Sequence, residues 1–137
     1  MIEGLSHITF IVKDLERMKL LLVGALGGKE VYDSGDKSFS ISREKFFEVG
    51  GVWIAVMEGK SLSEKTYNHV AFKVPADDLP RYRAAIEKLG LSIREPRQRV
   101  EGEGQSLYFH DFDNHLFELH TATLAERLET YAQGGNW

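Results

Sequence analysis

The 137 residues contain no cysteine. That excludes disulfides, thiolate metal ligands and a cysteine nucleophile, so any thiol chemistry would need an imported thiol. Long apolar runs are also missing. The longest, residues 20–26 with Gly24 inside it, is far shorter than the roughly 20 residues of a membrane span. Met1-Ile2-Glu3-Gly4 has no basic segment followed by an apolar one, which argues against a signal peptide. Positive charge is in deficit, with 17 Lys and Arg against 21 Asp and Glu and a net charge of −4. A chain of that sign is a poor general nucleic-acid binder, although a local basic pocket remains allowed. What is present, 42% apolar and 28% charged residues, is the composition of a globular domain, expected soluble and cytoplasmic. At this length a core needs no metal or disulfide staple.

The chain repeats itself. Leu5-Ser6-His7-Ile8-Thr9-Phe10-Ile11-Val12 lies over Tyr67-Asn68-His69-Val70-Ala71-Phe72-Lys73-Val74 at an offset of 62 residues, histidine on histidine. The same offset puts Gly28 on Gly90 and Val31 on Ile93. Each half opens with a strand alternating on a period of two (His7–Val12; His69–Val74). A helix follows, with Leu15, Met18, Leu22 and Ala25 in the first half, and Leu79, Tyr82, Ala85, Ile86 and Leu89 in the second. Asp14 and Asp77 or Asp78 are the expected N-caps, and Gly27/Gly28 and Gly90 the expected stops. Three shorter strands complete each half: Glu30–Asp33, Phe39 to Phe47 with a break, and Val52–Met57; then Leu91–Arg94, Ser106–Phe109 and Leu116–His120. The fold class is α+β: two tandem β-α-β-β-β modules at about 5–58 and 67–120, a terminal helix at about 124–131, and a frayed tail at 132–137. With no linker between them, the halves form one domain, or one domain that exchanges elements with a partner.

Equivalent strand positions face each other in such a pair, which singles out His7 and His69. In Leu116-Phe117-Glu118-Leu119-His120, alternation puts Leu116, Glu118 and His120 on one face. A carboxylate within so apolar a strand is costly to bury unless a cation holds it. Two imidazoles and one carboxylate suit a divalent ion with positions left open for water or substrate. The offset of 62 puts Val56 opposite Glu118, so the first half supplies no further ligand there. His110, His115 and His120 are expected to be structural, and Asp111 and Asp113 to be solvated caps of a hairpin turn.

The tandem modules, the paired histidines and the closing Asp-x-Asp-x-His-x-x-Glu pattern resemble the vicinal oxygen chelate superfamily. Within it, Gly4-Leu5-Ser6-His7-Ile8-Thr9, Ser42-Arg43-Glu44-Lys45-Phe46-Phe47, Thr66-Tyr67-Asn68-His69, Glu101-Gly102-Glu103-Gly104 and the stretch Tyr108 to His120 are similar to the fosfomycin resistance enzymes, and most of all to the FosX-type epoxide hydrolases. The resemblance implies that His7, His69 and Glu118 hold Mn(II), other divalent ions being compatible, with His7 supplied across a homodimer. It implies that Glu44 activates water for attack on the epoxide of fosfomycin to give a diol. Thr9, Tyr67, Ser106, Tyr108 and Arg127 are then the expected substrate contacts, with Trp53, Arg97 and Arg99 as further candidates. Gln98 stands in register with a lysine of the glutathione-using relatives, Gly102 lacks the side-chain oxygen of their potassium loop, and Gln105 stands where a basic residue is expected. The rival activities on this fold are transfer of glutathione or bacillithiol to the same epoxide, and metal-free sequestration of a drug.

Overall fold

The computed structural model describes residues 1–37, 41–94 and 104–134. By its internal contacts the chain divides into two compact units, Met1–Lys65 with Asp111–His115, and Thr66–His110 with Leu116–Trp137.

In the first unit, β1 (His7–Val12) directs Ile8, Phe10 and Val12 to one face and His7, Thr9 and Ile11 to the other. Asp14 ends the strand and caps α1 (Leu15–Lys19), its carboxylate accepting from the amides of Glu16 (3.0 Å) and Arg17 (3.1 Å). The helix continues through a π-helical segment, Leu20–Ala25, so that Leu15, Met18, Leu21, Leu22 and Ala25 are buried together. Gly27 stops it in the left-handed region (φ 74°). Gly28 is needed for a different reason: a Cβ there would lie 2.7 Å from the Leu22 carbonyl oxygen and from Val49 Cγ2. β2 (Lys29–Asp33), β3 (Glu44–Val49) and β4 (Val52–Glu58) follow, and the sheet order is β1-β4-β3-β2 with β1 parallel to β4. Complete burial of Phe47, Ile54, Met18, Leu21 and Leu22 between sheet and helix supplies about 1.5–3 kcal/mol for each side chain.

A bulge in β2 between Glu30 and Tyr32 breaks its alternation. Glu30 and Asp33 therefore both reach the buried Lys45 ammonium, at 2.7 and 2.9 Å, and Glu16 of α1 meets it at 3.1 Å. Burial opposes the charged form, but the hydrogen bonds to Glu30, Asp33 and Glu16 outweigh it and hold the Lys45 pKa above its ordinary value.

The turn Asp111–His115 belongs with this unit. The expectation of solvated carboxylates fails here: Asp111 and Asp113 are buried. Backbone amides and neighbouring groups replace water around them. Asp111 accepts from the amides of Asp113 and His115 (2.8 Å each) and faces His115 Nδ1 at 2.8 Å. Asp113 accepts from the Lys13 amide (2.9 Å) and from the Ser61 hydroxyl. His115 packs edge-on against Phe10 at 4.9 Å, a structural placement.

The second unit repeats the plan: β5 (His69–Lys73), a 3₁₀ turn (Ala76–Asp78), α2 (Leu79–Lys88), β6 (Ile93–Arg94), β7 (Ser106–His110), β8 (Leu116–His120) and α3 (Leu124–Ala132). Its sheet order is β5-β8-β7-β6 with β5 parallel to β8. Ile86 of α2, Phe109, Phe117 and Leu119 are almost wholly buried, and the rings of Phe109 and Phe117 stack at 5.6 Å. Neither Asp77 nor Asp78 caps α2 through its side chain; Asp78 already has helical dihedrals (φ −89°, ψ −13°) and its carboxylate turns to Arg81 at 3.4 Å. Gly90 (φ 75°) is the counterpart of Gly27 rather than of Gly28. Among the described residues no helix is long and apolar enough to cross a membrane.

The strand register corrects a further expectation. His7 pairs with Trp53 and Thr9 with Ala55 in the first unit, while His69 pairs with Leu116 and Ala71 with Glu118 in the second. The position equivalent to Glu118 is therefore Ala55, not Val56, which points to the core. One more residue separates the paired strands in the second half, so a constant offset misplaces the last strand by one and moves it to the wrong face. A methyl group still supplies no ligand.

Candidate metal centre

In the second unit β5 and β8 lie side by side, and alternation puts His69, Ala71, Glu118 and His120 on one face. The His69 Nδ1 atom lies 2.7 Å from the Tyr67 carbonyl oxygen. A carbonyl only accepts, so Nδ1 carries the hydrogen and Nε2 presents what remains of the ring's capacity. Nε2 faces Glu118 Oε1 at 3.1 Å. A nitrogen lone pair and a carboxylate oxygen at that separation repel unless a proton or a metal cation lies with them. Two ligands at ~2.1 Å from one ion and at right angles to each other are ~3.0 Å apart, so the spacing fits adjacent ligands of a divalent metal. The backbone carbonyl behind His69 is also the usual means of orienting a metal-bound imidazole.

Glu118 is buried, and its other oxygen accepts from the Ser106 hydroxyl at 2.5 Å. The Tyr67 and Tyr108 hydroxyls are 3.2 Å apart, with the Tyr108 ring edge-on to His69 at 5.6 Å. Arg94 stacks over Tyr67, 4.9 Å from its centroid. His69, Ala71, Glu118, His120, Thr123 and Arg127 are among the residues that line a cavity of about 320 Å³. The structure thus gathers His69, Glu118, Tyr67, Ser106, Tyr108 and Arg127 in one unit. It adds His120, expected to be merely structural, whose Nδ1 lies 2.7 Å from Ser106 Oγ and 3.3 Å from Glu118 Oε2. Its place on the Glu118 face was legible; its partners, on another strand and on α3, were not.

In the first unit His7, Thr9, Glu44 and Trp53 share the sheet face opposite the helix. The His7 ring lies 4.2 Å from that of Trp53, and its Nδ1 is 2.9 Å from Ser6 Oγ, so this bond does not use Nε2. Glu44 pairs with Met57 as Ser106 pairs with His120, so the two begin equivalent strands. Glu44 is buried, and among the described residues no group donates to its carboxylate. Among the described residues no three His, Asp or Glu side chains form a metal-binding group; His69 and Glu118 meet in the second unit, and His7 belongs to the first. Arg97, Arg99, Gln98 and Gly102 lie outside the described residues.

Paired β-α-β-β-β units with a histidine at the start of each first strand and a carboxylate in the last define a fold family. The model of the Glyoxalase/Bleomycin resistance protein/Dioxygenase superfamily matches residues 4–119, and the chain belongs to that superfamily. Within it the chain is a member of the fosfomycin resistance proteins named FosX. It is 58% identical to FosX of Mesorhizobium japonicum over 98% of this chain and 96% of that one. It is 55% identical to FosX of Listeria monocytogenes, over 96% and 98%. A crystal structure of a FosX point variant from Listeria monocytogenes, complexed with Mn(II) and 1S,2S-dihydroxypropylphosphonic acid, matches with a TM-score of 0.88 at 50% identity, covering 96% of this chain and 99% of that one.

Proposed function

We propose that this protein is a Mn(II)-dependent hydrolase that adds water to the epoxide of fosfomycin, giving a vicinal diol and conferring resistance to the drug. The observation that carries this reading is the His69 Nε2–Glu118 Oε1 approach at 3.1 Å, in a chain that shares more than half its residues with FosX proteins. His69 and Glu118, with His7 from a second copy of the chain in a homodimer, hold the metal. Bound there, Mn(II) supplies a Lewis acid that offsets the charge developing on the epoxide oxygen.

Glu44 is the general base. Water is a weak nucleophile at neutral pH, and a carboxylate to which no group among the described residues donates is ready to take its proton. As the proton moves to Glu44, the water oxygen bonds to C1 of the epoxide and the C1–O bond breaks. The released alkoxide takes up a proton from solvent and becomes the second hydroxyl of the diol, and Glu44 returns its proton to solvent. Tyr67, Tyr108, Thr9 and Arg127 contribute hydroxyls and a guanidinium that suit the oxygens of an anionic phosphonate, while the hydroxyl hydrogen of Ser106 goes to Glu118. Trp53, against His7, is a candidate apolar wall of the site, and Arg97 or Arg99 is the candidate for a further phosphonate contact.

The test is mass spectrometry of fosfomycin after incubation with the Mn(II)-loaded protein in ¹⁸O-labelled water, with and without added thiol. The expected product is a diol carrying one solvent oxygen, formed at the same rate in both cases. A thioether adduct would instead assign the protein to thiol transfer, and unaltered drug bound without metal would assign it to sequestration.

A further inference from the structure

The cleft of the second unit contains a side chain that neither the repeat nor the metal triad requires. His120 ends β8 nearly buried, opposite Ser106 in the register. Its Nε2 lies 3.1 Å from Arg127 Nη2 and its Nδ1 2.7 Å from Ser106 Oγ, while Ser106 donates to Glu118 Oε2. The end groups determine the direction of the whole series. A guanidinium only donates, so His120 Nε2 accepts and the hydrogen of the neutral ring is on Nδ1. A carboxylate only accepts, so the Ser106 hydroxyl hydrogen points to Glu118 and its oxygen takes the hydrogen from Nδ1. Arg127, His120, Ser106 and Glu118 thus form one directional chain from α3, through β8 and β7, to the carboxylate beside His69.

Among the described residues the first unit has no such chain. At the positions equivalent to Ser106, Glu118 and His120 it has Glu44, Ala55 and Met57. The network therefore does not follow from the fold, which in the first unit has apolar residues in place of both Glu118 and His120. It exists only where the carboxylate and the guanidinium exist.

We infer that His120 is a positioning residue, orienting the Arg127 guanidinium toward the substrate and, through Ser106, the Glu118 carboxylate toward the metal. This rests on the roles proposed above for Arg127 and Glu118. The two arms of the chain are separable. Asn at 120 keeps an amide donor near the place of Nδ1 but nothing that reaches Arg127. Gln offers both an acceptor and a donor. Phe fills the space and offers neither.

The experiment measures Mn(II) affinity without substrate, by electron paramagnetic resonance of the free ion, and kcat and KM for fosfomycin at saturating Mn(II). For His120→Phe, Mn(II) affinity is expected to fall about tenfold and KM to rise about tenfold, with kcat changed less than about threefold. His120→Asn is expected to raise KM with Mn(II) affinity near that of the unsubstituted protein, and His120→Gln to recover most of both quantities. Arg127→Ala is expected to raise KM less in the His120→Phe background than alone, because the two losses share one cause. If every folded position-120 variant keeps both Mn(II) affinity and KM within about twofold of the starting protein, far below the tenfold expected of an outer-shell partner, the inference is overturned. If Arg127→Ala alone leaves KM unchanged, the substrate role of Arg127 fails. The substrate-free Mn(II) titration then decides whether His120 orients Glu118.

Discussion

Glu44 shows how little a single residue discloses in isolation. Between Arg43 and Lys45 it reads as a solvated charge at a strand end, and only likeness to a family marks it as a base. The structure adds burial and the lack of any donor to its carboxylate among the described residues. Glu44→Gln is expected to lower kcat by about 10²–10⁴-fold while Mn(II) binding is retained, since the amide keeps the shape but takes no proton. Titration of the variant with Mn(II), followed by turnover at saturation, checks both halves. Glu118 was more legible, because alternation in an apolar strand sets it on the histidine face. Glu118→Ala is expected to abolish Mn(II) binding and hydrolysis together, and near-native turnover of that variant would reject the ligand set. His120 lies on the same face, but the sequence does not mark it, because its meaning lies in partners on β7 and α3.

Among the elements, α3 carries Arg127, and its first turn is set by local chemistry. Thr123 accepts from the Glu126 amide at 3.1 Å, and the Glu126 carboxylate accepts from the Thr123 amide (3.1 Å) and hydroxyl (3.0 Å), a reciprocal cap. Hydrogen bonds from the Thr123 backbone and then its hydroxyl hold the Glu126 carboxyl below its ordinary pKa. A depressed folded-state value means that the cap contributes fully above the unfolded pKa and is lost as pH falls through the folded one. Thr123→Ala is therefore expected to cost about 1 kcal/mol near neutral pH, with a smaller difference in acid below the depressed Glu126 value. Thermal unfolding of both proteins across that pH range measures it. The strands were largely predictable from their period, as in the identical bounds of β1 and β8. The bulge in β2 was not, because it exists only in the register of β2 against β3, which turns Glu30 and Asp33 to one buried lysine. The misplaced Val56 has the same origin, since alternation is local and register is a relation between strands.

For the whole molecule, the proposal that His7 comes from a second copy has a direct consequence. His7→Ala and Glu118→Ala proteins are each expected to be inactive. In a hybrid dimer, one centre would combine the intact His7 of one chain with the intact His69 and Glu118 of the other. Mixing the two after reversible dissociation is expected to restore roughly a quarter of the original activity, half the dimers being hybrid and each hybrid having one intact centre of two. No recovery, with hybrid formation verified by native mass spectrometry, would place the three ligands in a single chain.

The amino-acid sequence alone was enough for the doubled β-α-β-β-β plan, the paired histidines and the in-strand glutamate, because strand and helix periods act between near neighbours and are written directly in residue order. Tertiary structure alone decided which residue of β4 matches Glu118, how Asp111 and Asp113 come to be buried, and that Arg127, His120, Ser106 and Glu118 form one hydrogen-bonded series. Those facts depend on strand register and on hydrogen bonds between distant segments, whose geometry exists only once the sheets have paired and excluded water.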